Sequence, residues 1–520
     1  MAASRLFVTR CVSPASRLQI LSTSRPTLQI STQPATGQDF SLLEAKPFES
    51  IPGPPRNILT TIKSTYDMLV SGTIRKPWVL FKELHDEYGD IVYSGFGSSF
   101  ESVLLLDPKD VEKVLRNEGK YPRRLEFTPW IAYREYRGKA KGVLLTEDQI
   151  WKRNRLAVSK RMLHPKEVVE YAPTINSVVT DFVDRMERKR LTDENCVVHG
   201  IEQDLFKYAM DAAGSVLLDS RLKLLDDNLH IEEEAFIESV HAIFEEFAPM
   251  MMIPTKLHKM LNTKSWKRHT KAWDTIFHYA KKLIDDKINR VYEELKDDNQ
   301  TEKKADFLTY LVQQNKISVE EIYANCTELL AAAVDTTSNT TLWCIYMLAS
   351  NPDAQERLHQ EVKKVIPDNE IPMPKHIDHM PYLKSVVKET LRMYPPALNI
   401  SRKLDKDIEL KGYRIPAGMA MSGQVLMMGR DPRYFKDPLQ FKPDRWLREN
   451  EEIHHPFVAL PFGFGPRMCV GRRLAELEMR LLLARISKNY WIESLKDVEP
   501  MLTSLLVPDK PTQLKFTKKS

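Results

Sequence analysis

The sequence predicts a mainly α-helical fold with a small β region, built as a single large domain. Three observations carry that expectation. Apolar positions recur at helical spacing through most of the middle of the chain, with charged residues on the opposite faces. One long helix is marked at both ends: Ser318-Val319-Glu320-Glu321 forms a capping box, and Asn351-Pro352 stops the run after Ser350. At 1.5 Å per residue that helix is about 48 Å long, enough to cross a whole domain. Strand-like runs are few and short, at Ile91-Val92-Tyr93, Val103-Leu104-Leu105 and Ile408–Ile415.

Read from the N-terminus, the chain divides into three parts. Residues 1–38 contain Arg5, Arg10, Arg17 and Arg25, many Ser and Thr, and no acid before Asp39. An Arg- and Ser-rich, acid-poor leader is the pattern of a mitochondrial transit peptide; a disordered tail is the alternative. Residues 39–55 end in Ile51-Pro52-Gly53-Pro54-Pro55, where proline fixes φ and removes amide donors, so they form a stiff, proline-rich hinge. Residues 56–515 continue without a repeat or a dividing linker and form the folded domain. No run of about 20 apolar residues occurs, so no membrane-spanning helix is expected.

Of the 520 residues, 42% are hydrophobic and 28% charged, a globular balance with apolar material for one large core. The net charge of +5 is small for this length and argues against a nucleic-acid binder. Five cysteines, Cys11, Cys196, Cys326, Cys344 and Cys469, are sparse, scattered and odd in number. That speaks against a disulfide framework, and none has zinc spacing. A single cysteine with a particular task fits better.

Residues 462–471 single out Cys469. They read Phe-Gly-Phe-Gly-Pro-Arg-Met-Cys-Val-Gly. Glycines permit backbone conformations other residues resist, and Pro466 stiffens the approach. Such a loop holds a sulfur still and brings amides near it, which tunes a metal-bound thiolate. A helix from Arg472 to Ile486 follows, and its N-terminal dipole favours a nearby anion. A lone cysteine in a Gly-rich loop is nevertheless more often structural. The surrounding pattern is more specific. Phe462, Gly465, Arg467, Cys469 and Gly471 occupy every fixed position of FxxGxRxCxG, and the chain thereby resembles the cytochrome P-450 family. The resemblance implies that family's fold and a heme b held near Phe462, with the Cys469 thiolate as axial ligand to iron. It also implies a monooxygenase reaction.

Other motifs extend the resemblance. Glu389 and Arg392, at i and i+3 on a helix running from Pro381 to Tyr394-Pro395-Pro396, would alone read as a surface ion pair. The resemblance implies a buried network with Arg445 of Phe441-Lys442-Pro443-Asp444-Arg445-Trp446, structural rather than catalytic. Ala331–Thr337 lies in the middle of the long helix; three alanines let a cofactor approach the backbone. From the residues alone, Asp335 and Thr336 fit a solvent-facing turn as well as a functional pair. The resemblance implies that Asp335 relays protons and Thr336 steadies bound oxygen, with Ala333 where the family often has glycine. Trp151 and Arg155, at i and i+4, read either as packing plus a surface charge or, by resemblance, as partners of a heme propionate. Arg402 and Arg467 resemble the other propionate ligands, since guanidinium binds carboxylate bidentately.

Lys384 and Lys388 stand one turn apart, a mildly unfavourable arrangement that a solvated face or a partner would explain. Their setting resembles the mitochondrial class, which docks an acidic, adrenodoxin-like 2Fe–2S ferredoxin there; Arg472 and Arg473 extend the patch. Segments 121–137, 257–277 and 471–479 resemble the vitamin D 24-hydroxylase branch. The implied substrate is a steroid, sterol or secosteroid, with Trp130, Ile131, Phe244, Phe247, Ala332, Ala397 and Asn399 facing it. Asn399 is a polar departure from the apolar residue expected there. Phe244–Pro254 is apolar and Met-rich, either ordinary core or a lid dipping into the membrane surface. The implied location is peripheral, on the matrix side of the mitochondrial inner membrane. Alternatives are an ecdysteroid-type, other sterol or xenobiotic hydroxylase, a heme-thiolate isomerase, a heme sensor or carrier, and a scaffold without heme. An intact Asp335-Thr336 pair argues against the isomerase.

Overall fold

A computed structural model of the chain describes residues 42–519, apart from 43, 58–62, 64–65, 68–69, 97–99, 230, 295–305 and 451–453. The leader expected at 1–38 and residues 39–41 and 43 of the hinge lie outside the described residues.

The helical body is the larger part. It comprises α1 (Thr128–Arg137), α2 (Asp148–Leu163), α3 (Ala172–Thr192), α4 (Ile201–Leu217), α5 (Ile231–Glu245), α6 (Phe247–Met252), α7 (Thr255–Met260) and α8 (Lys264–Glu294). These are followed by α9 (Val319–Ala349), α10 (Pro352–Val365), α11 (Pro381–Met393) and α12 (Arg472–Asn489), with shorter helices between. The long helix α9 forms as its sequence dictates. Ser318 Oγ accepts from the Glu321 amide at 3.2 Å, and Glu321 Oε2 accepts from the Ser318 amide at 2.9 Å. No Gly or Pro interrupts its 31 residues. Its β-branched threonines are accommodated by back-bonding, Thr340 Oγ1 to Thr336 O and Thr341 Oγ1 to Thr337 O, each at 2.7 Å. The helix is the spine of the main hydrophobic core, packed on α4, α8, α11 and α12. Trp343 anchors its far half, fully buried and stacked on Tyr394 at 4.0 Å.

A four-stranded sheet lies at one side, ordered β1 (Ile91–Phe96), β2 (Phe100–Leu105), β6 (Ala420–Gly423), β3 (Ile400–Lys403). β1 and β2 pair antiparallel with Ile91 opposite Leu105, and β2 runs parallel to β6. The strand expected over Ile408–Ile415 is two strands, β4 (Ile408–Leu410) and β5 (Tyr413–Ile415), joined in a hairpin. Lys411 and Gly412 both have positive φ, 48° and 81°, and the chain reverses there. The proline-rich segment lies against this region: the Tyr93 amide donates to Pro52 O, and Arg56 covers the Tyr93 ring at 4.0 Å.

Candidate active site

The loop before α12 presents Cys469. Gly463 and Gly465 adopt φ of 70° and 73°, conformations that only glycine takes without strain. A Cβ on Gly465 would meet Glu118 Oε1 at 2.0 Å, so the loop also needs the missing side chain to pack. The Cys469 amide donates to Phe462 O at 2.8 Å, closing the loop beneath the sulfur. The side chain opens onto a cleft, yet protein surrounds it closely enough that burial pushes the thiol pKa up. The Gly471 and Arg472 amides, and the charges of Arg155 and Arg472, oppose that shift by favouring the thiolate. The two amides and two cations supply what a metal-bound thiolate needs, while burial alone favours the neutral thiol.

Four arginines converge from separate elements. Arg155 of α2 is enclosed, its basicity lowered by desolvation, and Cys469 is the group that acts to raise it. It makes no hydrogen bond among the described residues. Arg402 of β3 donates to Glu118 Oε2 at 2.5 Å and to Phe464 O at 3.0 Å. Arg467 donates to Pro122 O at 2.8 Å and Glu147 Oε2 at 2.5 Å, and lies 4.2 Å over the buried Trp151 ring. Burial lowers its pKa to about 10. Arg124 is the fourth, half-buried and bonded to Leu144 O, with Arg402 and Arg155 acting on it electrostatically. Sequence reasoning missed Arg124. The signal was present, since it stands in the segment 121–137 and adds a cation beside the expected three. A cationic cleft with one enclosed guanidinium free of acceptors, beside a thiolate-favouring cysteine, fits a dianionic, thiolate-ligated group such as heme b.

Helix α9 passes this region with one open face. Between Ala324 and Ala349 every residue is buried except Ala332, Ala333, Thr336 and Asn339. Their i, i+1, i+4, i+7 spacing places them on one stripe. Ala333, Phe462 and Val470 flank the same hydrophobic cluster. Thr336 Oγ1 donates to Ala332 O at 2.8 Å. Asp335 sits at the edge of the stripe, 8% exposed, and is not on a solvent-facing turn. Desolvation, and then repulsion by Glu245, raise its pKa to about 7.

The pair expected at Glu389 and Arg392 is fully buried. Arg392 grips Glu389 bidentately at 2.8 and 2.7 Å, and Arg445 Nε reaches Glu389 Oε1 at 3.0 Å. Two further donors were not anticipated: the Trp446 indole at 2.8 Å and the Lys442 amide at 3.0 Å. Trp446 in turn carries Lys388, whose Nζ lies 3.9 Å over the ring. Lys384 donates to Asp378 O at 2.9 Å and Arg472 pairs with Glu476 at 3.1 Å. Arg473 is exposed and has no polar partner among the described residues.

Of the expected substrate residues, Trp130, Phe244 and Phe247 come together, with ring centroids 5.6 and 5.9 Å from Trp130. Trp273 of α8, not foreseen, completes the group at 5.0 Å. Ile131 packs beside the same cluster, and Ala332 belongs to the open stripe of α9. Ala397 and Asn399 stand apart, exposed before β3, and share no described contact with the rings. The Met-rich run needs a correction. Met250 and Met251 are buried, 0% and 3% exposed, and fill the core under α1. The exposed apolar residues come next in the chain, at Ile253, Leu257, Met260 and Leu261. The turn of the chain into α7 is what brings them outward.

Comparison with known proteins agrees with the site. A family model for cytochrome P-450 matches residues 59–516. The chain belongs to the cytochrome P-450 family. It is therefore a monooxygenase with a heme-thiolate centre. Curated relatives include the mitochondrial 1,25-dihydroxyvitamin D(3) 24-hydroxylase of Rattus norvegicus, 38% identical over 91% of this chain and 90% of the relative. The mitochondrial cholesterol side-chain cleavage enzymes of Capra hircus and Oncorhynchus mykiss are 34% and 35% identical. They cover 92% and 90% of this chain, and 91% and 90% of their own lengths.

Proposed function

We propose that this P-450 hydroxylates a steroid, sterol or secosteroid in mitochondria, using electrons from a 2Fe–2S ferredoxin. The carrying observation is the cysteine site itself: Cys469 beside the Gly471 and Arg472 amides, with the charges of Arg155 and Arg472 acting on it. The names of the relatives, mitochondrial enzymes of vitamin D and cholesterol chemistry, support the substrate class and location.

Each residue then has a task. Cys469 holds the iron, its charge moderated by the two amides. Arg155, Arg402, Arg467 and Arg124 would hold the propionates together with Trp151, Arg155 being the one with no competing acceptor, and Phe462 would line the heme site. Bound there, the heme supplies oxygen activation and insertion into an unactivated C–H bond. The alanines of α9 leave room for it, Thr336 offers a hydroxyl on the open stripe, and Asp335 stores a proton beside it. Phe244 and Phe247, half-buried and braced from behind by the buried Trp130 and Trp273, offer apolar surface to a fused-ring or secosteroid skeleton. Glu389, Arg392 and Arg445 hold the segment before the cysteine loop. The leader at 1–38 directs import. No helix among the described residues is long and apolar enough to cross a membrane. Attachment instead uses Ile253, Leu257, Met260 and Leu261, inserted in the matrix face of the inner membrane.

Lys384, Lys388, Arg472 and Arg473 form the ferredoxin surface. Arg473→Glu is the clean test, because reversing Lys388 would also disturb Trp446. With a reconstituted ferredoxin and its reductase, this variant is expected to raise the half-saturating ferredoxin concentration several-fold at low salt, converging with wild type at high salt. Equal values at both salts would remove this face from docking. Titration of cholesterol and 1,25-dihydroxyvitamin D3 into the oxidised holoenzyme tests the substrate class. A spin-state shift with one of them, followed by a hydroxylated product, is the expected result; no shift with either would move the substrate elsewhere.

A further inference from the structure

A buried acid that hands on protons needs its own supply. Asp335 is nearly closed off from solvent, and no described side chain hydrogen-bonds its carboxyl. Helix α5 passes over it and presents His241, whose Nδ1 lies 3.8 Å from Asp335 Oδ1. The imidazole lies flat on Phe206 of α4, centroids 3.7 Å apart and planes 26° from parallel. That stack fixes the plane of the ring. The side chain nonetheless keeps 44% of its surface, so the ring bridges a buried carboxyl and the outside.

The electrostatic surroundings suit an exchange. Glu245, one turn along α5, is the charged residue that acts on both groups, and it makes both more ready to hold a proton. Glu245 is itself engaged by Arg268 of α8, which also reaches Glu246. The α4 neighbour Phe206 is apolar, and the three acids on that helix are engaged elsewhere: Asp204 by Arg185 and Lys189, Asp211 by Arg221, and Glu202 by Thr512. Burial lowers the basicity of His241, while burial and Glu245 raise that of Asp335. Burial makes the His241 imidazolium a readier donor, and the raised Asp335 carboxyl a readier acceptor, so both changes favour transfer from His241 to Asp335.

We propose that His241 is the positioning residue through which protons enter Asp335. The Nδ1–H bond of the imidazolium breaks and an Oδ1–H bond forms on Asp335, leaving neutral imidazole and neutral carboxylic acid. Solvent water returns a proton to the imidazole. Small side-chain rotations close the gap to hydrogen-bonding distance; such contacts are commonly long in resting structures. The inference rests on the monooxygenase chemistry, which consumes protons as well as electrons, and not on the identity of the substrate.

The test needs no turnover. In the ferric holoenzyme, the Asp335 carboxyl band is identified by difference infrared spectroscopy as the one lost in Asp335→Asn. Its protonation is then followed after a rapid pH drop. His241→Phe keeps the stack on Phe206 and removes the relay; His241→Gln serves if that variant does not fold; a small diffusible buffer acid can replace the missing donor. Protonation is expected to slow by about tenfold in the Phe or Gln variant, below the roughly 10²–10⁴-fold of a positioned proton transfer because water partly substitutes. It should recover as the concentration of a weak buffer acid is raised. Equal rates in wild type and the Phe or Gln variant would overturn the assignment, as would a slowing that buffer acid does not relieve. A failed substrate search would leave this result untouched.

Discussion

Glu389 is the residue whose removal the structure prices most directly. Its carboxylate accepts from Arg392 Nε and Nη2, Arg445 Nε, the Trp446 indole and the Lys442 amide, all within 3.0 Å. Glu389→Ala leaves two guanidinium groups buried, Arg392 at 1% and Arg445 at 2% exposure. Removing one partner of a buried ion pair costs about 3–5 kcal/mol. Two orphaned cations would exceed that, but each keeps backbone acceptors: Gly429 O and Pro438 O for Arg392, Lys436 O for Arg445. The range of about 3–5 kcal/mol therefore stands. Unfolding entropy scales with chain length, so for a domain this large 1 kcal/mol moves Tm by only about 1 °C. The expected drop is thus about 3–5 °C by circular dichroism. Heme occupancy should fall with it, because Lys442 and Trp446 lead into the cysteine loop. Glu389→Gln, which keeps one carbonyl acceptor, should lose less. A Tm within about 1 °C of wild type for the Ala variant would refute the reasoning, since it would mean the network carries no net stability.

Arg155→Leu should lower heme content, measured as pyridine hemochrome per protein, while leaving the melting temperature of the heme-free protein unchanged, because Arg155 bonds to no protein acceptor. Asp335→Asn should make stability less dependent on pH. The folded carboxyl, raised from 3.8 to about 7, holds its proton more tightly than the unfolded one. Its burden is therefore absent below about pH 4 and grows as pH rises toward 7. At pH 8 the Asn variant should be more stable by up to about 4 kcal/mol in denaturant titrations, a difference that vanishes near pH 4. Equal pH profiles would place Asp335 in a wetter site than its burial indicates.

The sequence made the chemistry of the cysteine loop legible because that chemistry is local. Glycines at 463, 465 and 471, the proline and the following helix lie within about one turn of Cys469, and a contiguous motif records them. The caps of α9 were legible for the same reason. The partners of the loop were not, since Glu118, Arg124 and Glu147 reach it from some 320 to 350 positions upstream through the topology of the sheet and α2. The closed network at Glu389 had three anticipated members, Glu389, Arg392 and Arg445. Its indole and amide donors depend on where the 442–446 turn lands, which spacing does not encode. Ile408–Ile415 reads as one strand by composition, and the reversal rests on two positive-φ residues within it. Met250 and Met251 show the limit of pattern: an apolar run does not say which side of a turn faces water. His241 belongs to this class too, since a histidine on an amphipathic helix names no partner until α5 is laid across α9.

The central claim is that Cys469 holds heme iron as a thiolate. The most direct measurement is the absorption spectrum of the dithionite-reduced, CO-bound protein, beside Cys469→His. The account predicts a long-wavelength Soret band in the wild type and its loss in the variant. A heme-loaded, folded wild type without that band, or a variant that keeps it, would contradict the account.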